Sequence, residues 1–270
     1  MSSTAAGSEI RMDVAPLPRM IWLESRAKFL NRVRVPAFTF FSLVMPVGFF
    51  ALFNGIYSNQ GGEVGKWLLA SYGTYACGLV MVFNFGMGIS NDRGQKMDVL
   101  QKAMPLPAAV ANLAHILSAL LFAALSLLIL FAYALTIGGV HLDGGTTLKL
   151  LVALLLGSLP FGGLGMAIGF GVGPNAAPAV TNAIYLPMTF LSGIFIPLQI
   201  LPSAIRTVGS WLPTYHYAQL AWNSVGGVNR VFNPSPESLL TSVLWLAGWG
   251  VVLFLLALRI YRLDQSRKFA

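Results

Sequence analysis

From Leu150 to Ile205 the chain carries no Asp, Glu, Lys or Arg. Soluble domains have about one charged residue in four, so a stretch this long without one has no face to offer water. Its one break, Gly171-Val172-Gly173-Pro174-Asn175, divides it into two apolar segments close to the roughly 20 residues that span a bilayer. Four further uncharged runs bring the total to six: 37–56, 67–89, 108–137, 150–172, 176–198 and 239–258. The whole chain of 270 residues is 56% hydrophobic and 10% charged. In hydrocarbon a backbone must satisfy its own polar groups, and apolar runs of this length do so as helices. The expected fold is therefore all-α and integral to the membrane, with six transmembrane helices over 36–260.

The basic residues give an orientation. Arg11, Arg19, Arg26, Lys28, Arg32 and Arg34 precede the first run. Arg93, Lys96 and Lys102 lie between the second and third, and Arg259, Arg262, Arg267 and Lys268 follow the last. Only Lys66, Lys149, Arg206 and Arg230 fall on the opposite side of a six-helix chain. Basic residues collect in cytoplasmic segments, so both termini are expected in the cytoplasm. The net charge of +8 is then read as orientation and headgroup contact, with no nucleic-acid partner. The tail 261–270 is expected at the cytoplasmic membrane surface. The first 35 residues lack the compact apolar core and cleavage pattern of a signal peptide. Residues 18–34 are expected to form an interfacial helix, with Ile21, Ser25 and Phe29 on one stripe and Pro36 separating it from the first span.

The connector Asn91–Pro107 is a charged island between long apolar runs. Asp92 and Gln95 have capping-box spacing, and Met97, Leu100 and Met104 share a helical face that Pro105 and Pro107 terminate. That face either docks on something outside the chain or belongs to a solvated connector. Between 197 and 238 the chain leaves helix rules: Pro197, Pro202, Pro213, Pro234 and Pro236 bound apolar pieces, 201–211 and 215–225, too short to span. These are expected to dip in from the outer face, with Trp211, Tyr215, Tyr217 and Trp222 at headgroup depth. The third run, 108–137, exceeds the bilayer core and must tilt or project. The loop 138–147 is expected to be external. Gly165 and Gly169 form a small-residue face for close helix contact, within the chain or with a second copy.

The chemistry that is missing narrows the function. No phosphate-cradling Gly-x-x-x-x-Gly-Lys-Ser/Thr loop occurs; Gly65-Lys66-Trp67 lacks the earlier glycine and the hydroxyl residue. No His/Cys cluster has metal spacing. Asp and Glu are absent from the centres of the runs, so an ion-coupled carrier has no ionisable group to work with. No catalytic residue, bound cofactor or metal is expected. His115 is expected to be a structural hydrogen-bonder. The polar and aromatic candidates for a translocation path are Asn54, Asn84, Asn182 and Phe190, and each asparagine has an interhelical hydrogen bond as its alternative role. Cys77, the sole cysteine, lies in the second run and can form no intramolecular disulfide.

Three stretches resemble the ABC-2 type permeases, the membrane subunits of bacterial ATP-driven exporters. They are Arg34-Val35-Pro36 followed by Met45-Pro46; Asp92-Arg93, Leu100 and Lys102-Ala103-Met104-Pro105-Leu106-Pro107; and Ser192-Gly193-Ile194-Phe195-Ile196-Pro197 with Leu201-Pro202 and Leu212-Pro213-Thr214-Tyr215. Gly94 and Lys96 stand where that family commonly has an acidic residue and a glycine. The resemblance implies a multi-pass protein of the bacterial inner membrane with an amphipathic elbow helix in 1–35. It also implies a cytoplasmic coupling helix at about 91–107 and an external re-entrant hairpin at about 197–238. It implies a second permease subunit, in a homodimer or heterodimer, and a separate nucleotide-binding ATPase that holds ATP and Mg. Asp92, Arg93, Met97, Leu100, Met104 and Pro105 would meet that ATPase. Gly193, Pro197, Pro202, Pro213 and Tyr215 would form the external gate. The implied activity is export of an amphipathic substrate (drug, antibiotic, peptide or lipid) by alternating access. A membrane sensor or anchor subunit and a lipid-modifying membrane enzyme are the alternatives.

Overall fold

The computed structural model describes residues 16–57, 63–95, 108–226 and 233–268. Among these residues every regular element is helical. In chain order they are α1 (Leu17–Val33), α2 (Pro36–Thr39), a π turn (Phe40–Val44), α3 (Met45–Tyr57), α4 (Glu63–Gly94), α5 (Ala108–Thr136), α6 (Gly144–Gly157) and α7 (Pro160–Gly171). There follow α8 (Ala177–Leu191), a 3-10 turn (Leu198–Ile200), α9 (Ser203–Gly209), α10 (Pro213–Ser224) and α11 (Leu239–Lys268). Five segments are long and apolar enough to cross a membrane: Phe40–Tyr57, Val64–Gly94, Leu113–Thr136, Gly144–Gly171 and Leu239–Gln265. The molecule is a multi-pass membrane protein.

α4 is the axis of the bundle. A helix apolar all round must be covered all round, and an 18-residue stretch of the α4 span is entirely buried, against 17% of the corresponding stretches of the first and last spans. α5 and α7 pack along it, with α3, α8 and α10 completing the enclosure. The small-residue face of α7 explains one of these contacts. A Cβ at Gly165 would lie 2.6 Å from the carbonyl oxygen of Val82, and one at Gly169 would lie 3.0 Å from that of Gly86. These glycines let α7 press backbone to backbone on α4 within the chain.

Prolines account for the breaks. Val35-Pro36 separates α1 from α2, as the restriction on the residue before proline predicts. Pro46 has no amide hydrogen for the carbonyl of Ser42, and Ser126 Oγ from α5 donates to that carbonyl instead, at 2.7 Å. Pro160 divides α6 from α7.

Several expected boundaries move. Asp92 is not an N-cap: α4 continues through it to Gly94, and Gln95 N turns back to the carbonyl of Asn91 at 2.9 Å. The loop expected over 138–147 is shorter, because Asp143 caps α6 by accepting Thr146 N at 2.9 Å. The expected run 176–198 is helical only over Ala177–Leu191, ending where Gly193 takes φ +84°. Tyr217 and Trp222, expected at headgroup depth, are enclosed by protein. Both are fully buried, Tyr217 OH donating to the carbonyl of Leu154 and Trp222 Nε1 to Ser71 Oγ at 2.9 Å. α10 is wedged among α4, α6 and α11, so its aromatic rings become core. Trp211 alone of the group is widely exposed, at 60%.

Candidate functional site

Two polar clusters stand at opposite ends of the bundle. The first is at the connector end of α4. Consecutive residues on a helix point about 100° apart, and Asp92 and Arg93 therefore reach different neighbours. Asp92 Oδ2 lies 3.5 Å from His115 Nε2 on α5 and 3.8 Å from Lys28 Nζ on α1. Lys28 is itself paired with Glu24 at 3.2 Å. Beside them Arg32 Nη2 donates to the carbonyl of Asn84 at 3.2 Å. Burial pulls the Arg32 guanidinium below the usual arginine range, and the Asp92 charge opposes that shift.

Arg93 turns the other way. Its Nη1 donates to the carbonyls of Gly169 and Phe170, each at 2.8 Å, and its Nη2 pairs with Asp264 on α11. The last carbonyls of α7 have no partner inside their own helix and carry its negative dipole end. A guanidinium fork satisfies both requirements. Ser90 Oγ supports the same turn by donating to Val172 O at 3.1 Å. Two adjacent residues thus fasten α4 to α1 and α5 on one side and to α7 and α11 on the other. Met97, Leu100, Met104 and Pro105 lie outside the described residues.

The second cluster is at the hairpin end. Gly193 closes α8, Pro197 precedes the 3-10 turn, Pro202 precedes α9 and Pro213 opens α10. Tyr215 OH accepts from Gln219 Nε2 at 2.9 Å, and burial with the Glu237 charge pushes its phenol above the ordinary range. Gln219 and Asn233 exchange two side-chain hydrogen bonds at 2.9 Å, and Glu237 N donates to Gln219 Oε1 at 3.2 Å. His216 Nδ1 lies 2.9 Å from Glu237 Oε2, and its ring stacks on Trp245 with centroids 4.7 Å apart. Ser242 Oγ donates to the same carboxylate oxygen at 3.1 Å. The serine bonds the carboxylate and not the imidazole, so the three groups do not form a serine–histidine–acid relay. His216, Gln219 and Asn223 had a signal in the sequence: i, i+3, i+7 spacing on an otherwise apolar helix. Glu237 had none, since it is distant from that stripe in the chain.

The four path candidates do not meet within one chain. Asn54 Nδ2 donates to Gly138 O at 2.9 Å, tying the end of α3 to the loop after α5. Asn84 is buried in α4, and its backbone carbonyl accepts from Arg32 Nη2. Asn182 and Phe190 share an exposed face of α8, where Phe190 stacks on Phe195 at 4.6 Å. Among the described residues no group of His, Cys, Asp and Glu has the arrangement of a metal site.

Two comparisons bear on this architecture. The family model described as ABC-2 type transporter matches residues 20–223. A Bacillus subtilis (strain 168) protein named "Putative transport permease YvfS" is 24% identical over 207 residues, covering 76% of this chain and 84% of that protein.

Proposed function

The chain belongs to the ABC-2 type transporter family and is a membrane transport permease, and from that premise we propose that it is the membrane subunit of an ATP-driven exporter. The observation that supports this most is the Asp92–Arg93 junction. These residues open the connector and are wired into two different sets of helices. A partner ATPase that moves the connector would pull on α1 and α5 through Asp92, and on α7 and α11 through Arg93. That is the coupling a rigid-body alternating-access cycle requires. ATP and Mg would be held by the partner, and export would need no ionisable group in the middle of the membrane.

In this proposal two permease subunits face each other in the bacterial inner membrane, with all termini cytoplasmic. α8 supplies the sixth crossing together with the hairpin that follows it, and its exposed face with Asn182 and Phe190 borders the path. An amphipathic cargo suits a path without charges. The test is a pair of substitutions in the connector. Leu100→Asp would put an unpaired carboxylate into the ATPase groove, at several kcal/mol, whereas Gln101→Asp lies on another helical face. Leu100→Asp is expected to insert normally and to lose co-purification with the ATPase and substrate-stimulated hydrolysis, while Gln101→Asp keeps most of both. Near-normal ATPase binding in both variants would refute the coupling role.

A further inference from the structure

The break at Pro160 has a consequence at the hairpin end of the bundle. Below it, α7 lies tight on α11: a Cβ at Gly163 would be 3.0 Å from Phe254 N. Above it, α6 parts from α11 and leans on α10, where a Cβ at Gly157 would touch the Tyr217 ring at 2.6 Å. A cleft of about 1110 Å³ opens between α6 and α11, with Leu220 and Pro160 at its base. Its walls are Val152 and Leu156 on one side and Val243 and Leu246 on the other. Val152, Leu156 and Val243 are 46%, 58% and 44% exposed. The polar lining is confined to the hairpin end, in Lys149, Asn223, Ser224, Glu237 and Ser238.

Three features select the occupant. The cleft lies between two segments long and apolar enough to cross a membrane, so its open side faces lipid. From Lys149 to Pro160 the wall is about 16 Å at the helical rise, half of a roughly 30 Å hydrocarbon core; its depth is that of one leaflet. Its polarity runs from charged to apolar along that depth, as a lipid does from headgroup to chain end. The mouth offers a cation, Lys149, and an anion, Glu237, which complement a phosphate and an ammonium on one headgroup. The volume also exceeds the roughly 300–1,000 Å³ of ordinary small-molecule sites.

We propose that this cleft is a binding site for one resident glycerophospholipid with an amine-bearing zwitterionic headgroup, its acyl chains between α6 and α11. It rests on the chain crossing a membrane and is independent of the ATPase. Glu237 also holds His216 and Ser242, so the lipid ammonium would reach the carboxylate that fastens α10 to α11.

The experiment reconstitutes the full chain in nanodiscs doped with photoactivatable phospholipids, bearing ethanolamine or glycerol headgroups and the reactive group at mid-chain. Adducts are mapped by mass spectrometry. The expected result is adducts concentrated on residues 152–160 and 243–247, favouring ethanolamine over glycerol by about fivefold, the ratio that one exposed ion pair supports. Glu237→Gln is expected to remove the preference while leaving the adduct sites unchanged. Leu156→Trp, which fills the cleft, is expected to remove the adducts from it. Lys149→Gln, on the exposed rim, is expected to lower occupancy without affecting folding, and serves if the other two variants insert poorly. Adducts spread evenly over the exposed faces of α3 and α11, equal yields with both headgroups, or a cleft occupied by cross-links to a second copy would each overturn the proposal. Absence of α6–α11 adducts in samples that contain lipid and no transported compound would likewise refute it.

Discussion

Replacing Arg93 with Ala tests the junction at the end of α4. The guanidinium donates to two carbonyls of α7 and pairs with Asp264. Hydrogen bonds to charged groups contribute about 1.5–3 kcal/mol each, and breaking a buried pair from one side costs about 3–5 kcal/mol. The side chains of Arg93 and Asp264 are 21% and 16% exposed, so water recovers part of that loss and about 3 kcal/mol is expected. At roughly 2–4 °C per kcal/mol for a chain of this size, detergent-solubilised protein should melt about 6–12 °C lower, read by intrinsic tryptophan fluorescence. Arg93→Lys keeps the charge but not the fork, and should lose about half as much. Asp264→Asn in both backgrounds isolates the pair, with a coupling energy of about 1–2 kcal/mol. A fall below about 2 °C in Arg93→Ala, or strict additivity with Asp264→Asn, would refute the claim that this arginine joins α4 to α7 and α11.

Three further outcomes follow from the packing. Ser126→Ala removes the donor to the Ser42 carbonyl and should destabilise by about 1–3 kcal/mol; adding Pro46→Ala, which restores an amide hydrogen there, should recover part of the loss in the same melting assay. Gly165→Val should disrupt the bundle, because the added Cβ meets the Val82 carbonyl, and the readout is loss of the monodisperse species on gel filtration. Ser203→Cys in a Cys77→Ala background should react with an impermeant thiol reagent added outside intact cells, since Ser203 is exposed; labelling only from the cytoplasmic side would reverse the proposed orientation.

Much of the fold was legible because hydrocarbon leaves a chain few choices. The runs beginning near Trp67, Ala108 and Leu239 each appear as a helix long and apolar enough to cross a membrane, the run near Ala37 appears as α2, the π turn and α3 in succession, and Pro36 ends α1 as proline sterics require. What the sequence did not disclose is which apolar helix lies in the middle. α4 and α11 have similar length and composition, yet one is enclosed and the other is largely exposed. That difference comes from neighbours such as Gly165 and Gly169, whose contact partner cannot be read from their spacing. Asp92 and Arg93 were recognisable as a special pair, but capping-box spacing was a poor guide to their role. Tertiary partners, Lys28 and His115 for one and the end of α7 for the other, hold α4 helical past them. The path asparagines were the least legible. A lone polar residue in an apolar run is equally compatible with a carbonyl on a neighbouring segment, which Asn54 finds in the loop after α5, and with an exposed face, where Asn182 stands.

α8 and the hairpin after it act as one unit for a physical reason. The 15 residues of α8 reach about 22 Å at the helical rise, short of the roughly 30 Å of a hydrocarbon core. The chain beyond Leu191 is irregular, and irregular backbone at membrane depth survives only where protein covers it. That cover is present. Ser192, Ile194 and Phe195 are buried, Phe195 packs against Phe49 and Tyr75, and Leu198 lies beneath α9. Thr214 Oγ1 donates to the carbonyl of Met188 at 3.0 Å and accepts from Ser192 Oγ at 2.6 Å, joining the end of α8 to the start of α10. α10 is in turn fixed to α4 through Trp222 and to α11 through Glu237. A displacement of α8 therefore cannot leave the hairpin behind: Thr214 would carry it into α10, and the Glu237 carboxylate from α10 into α11.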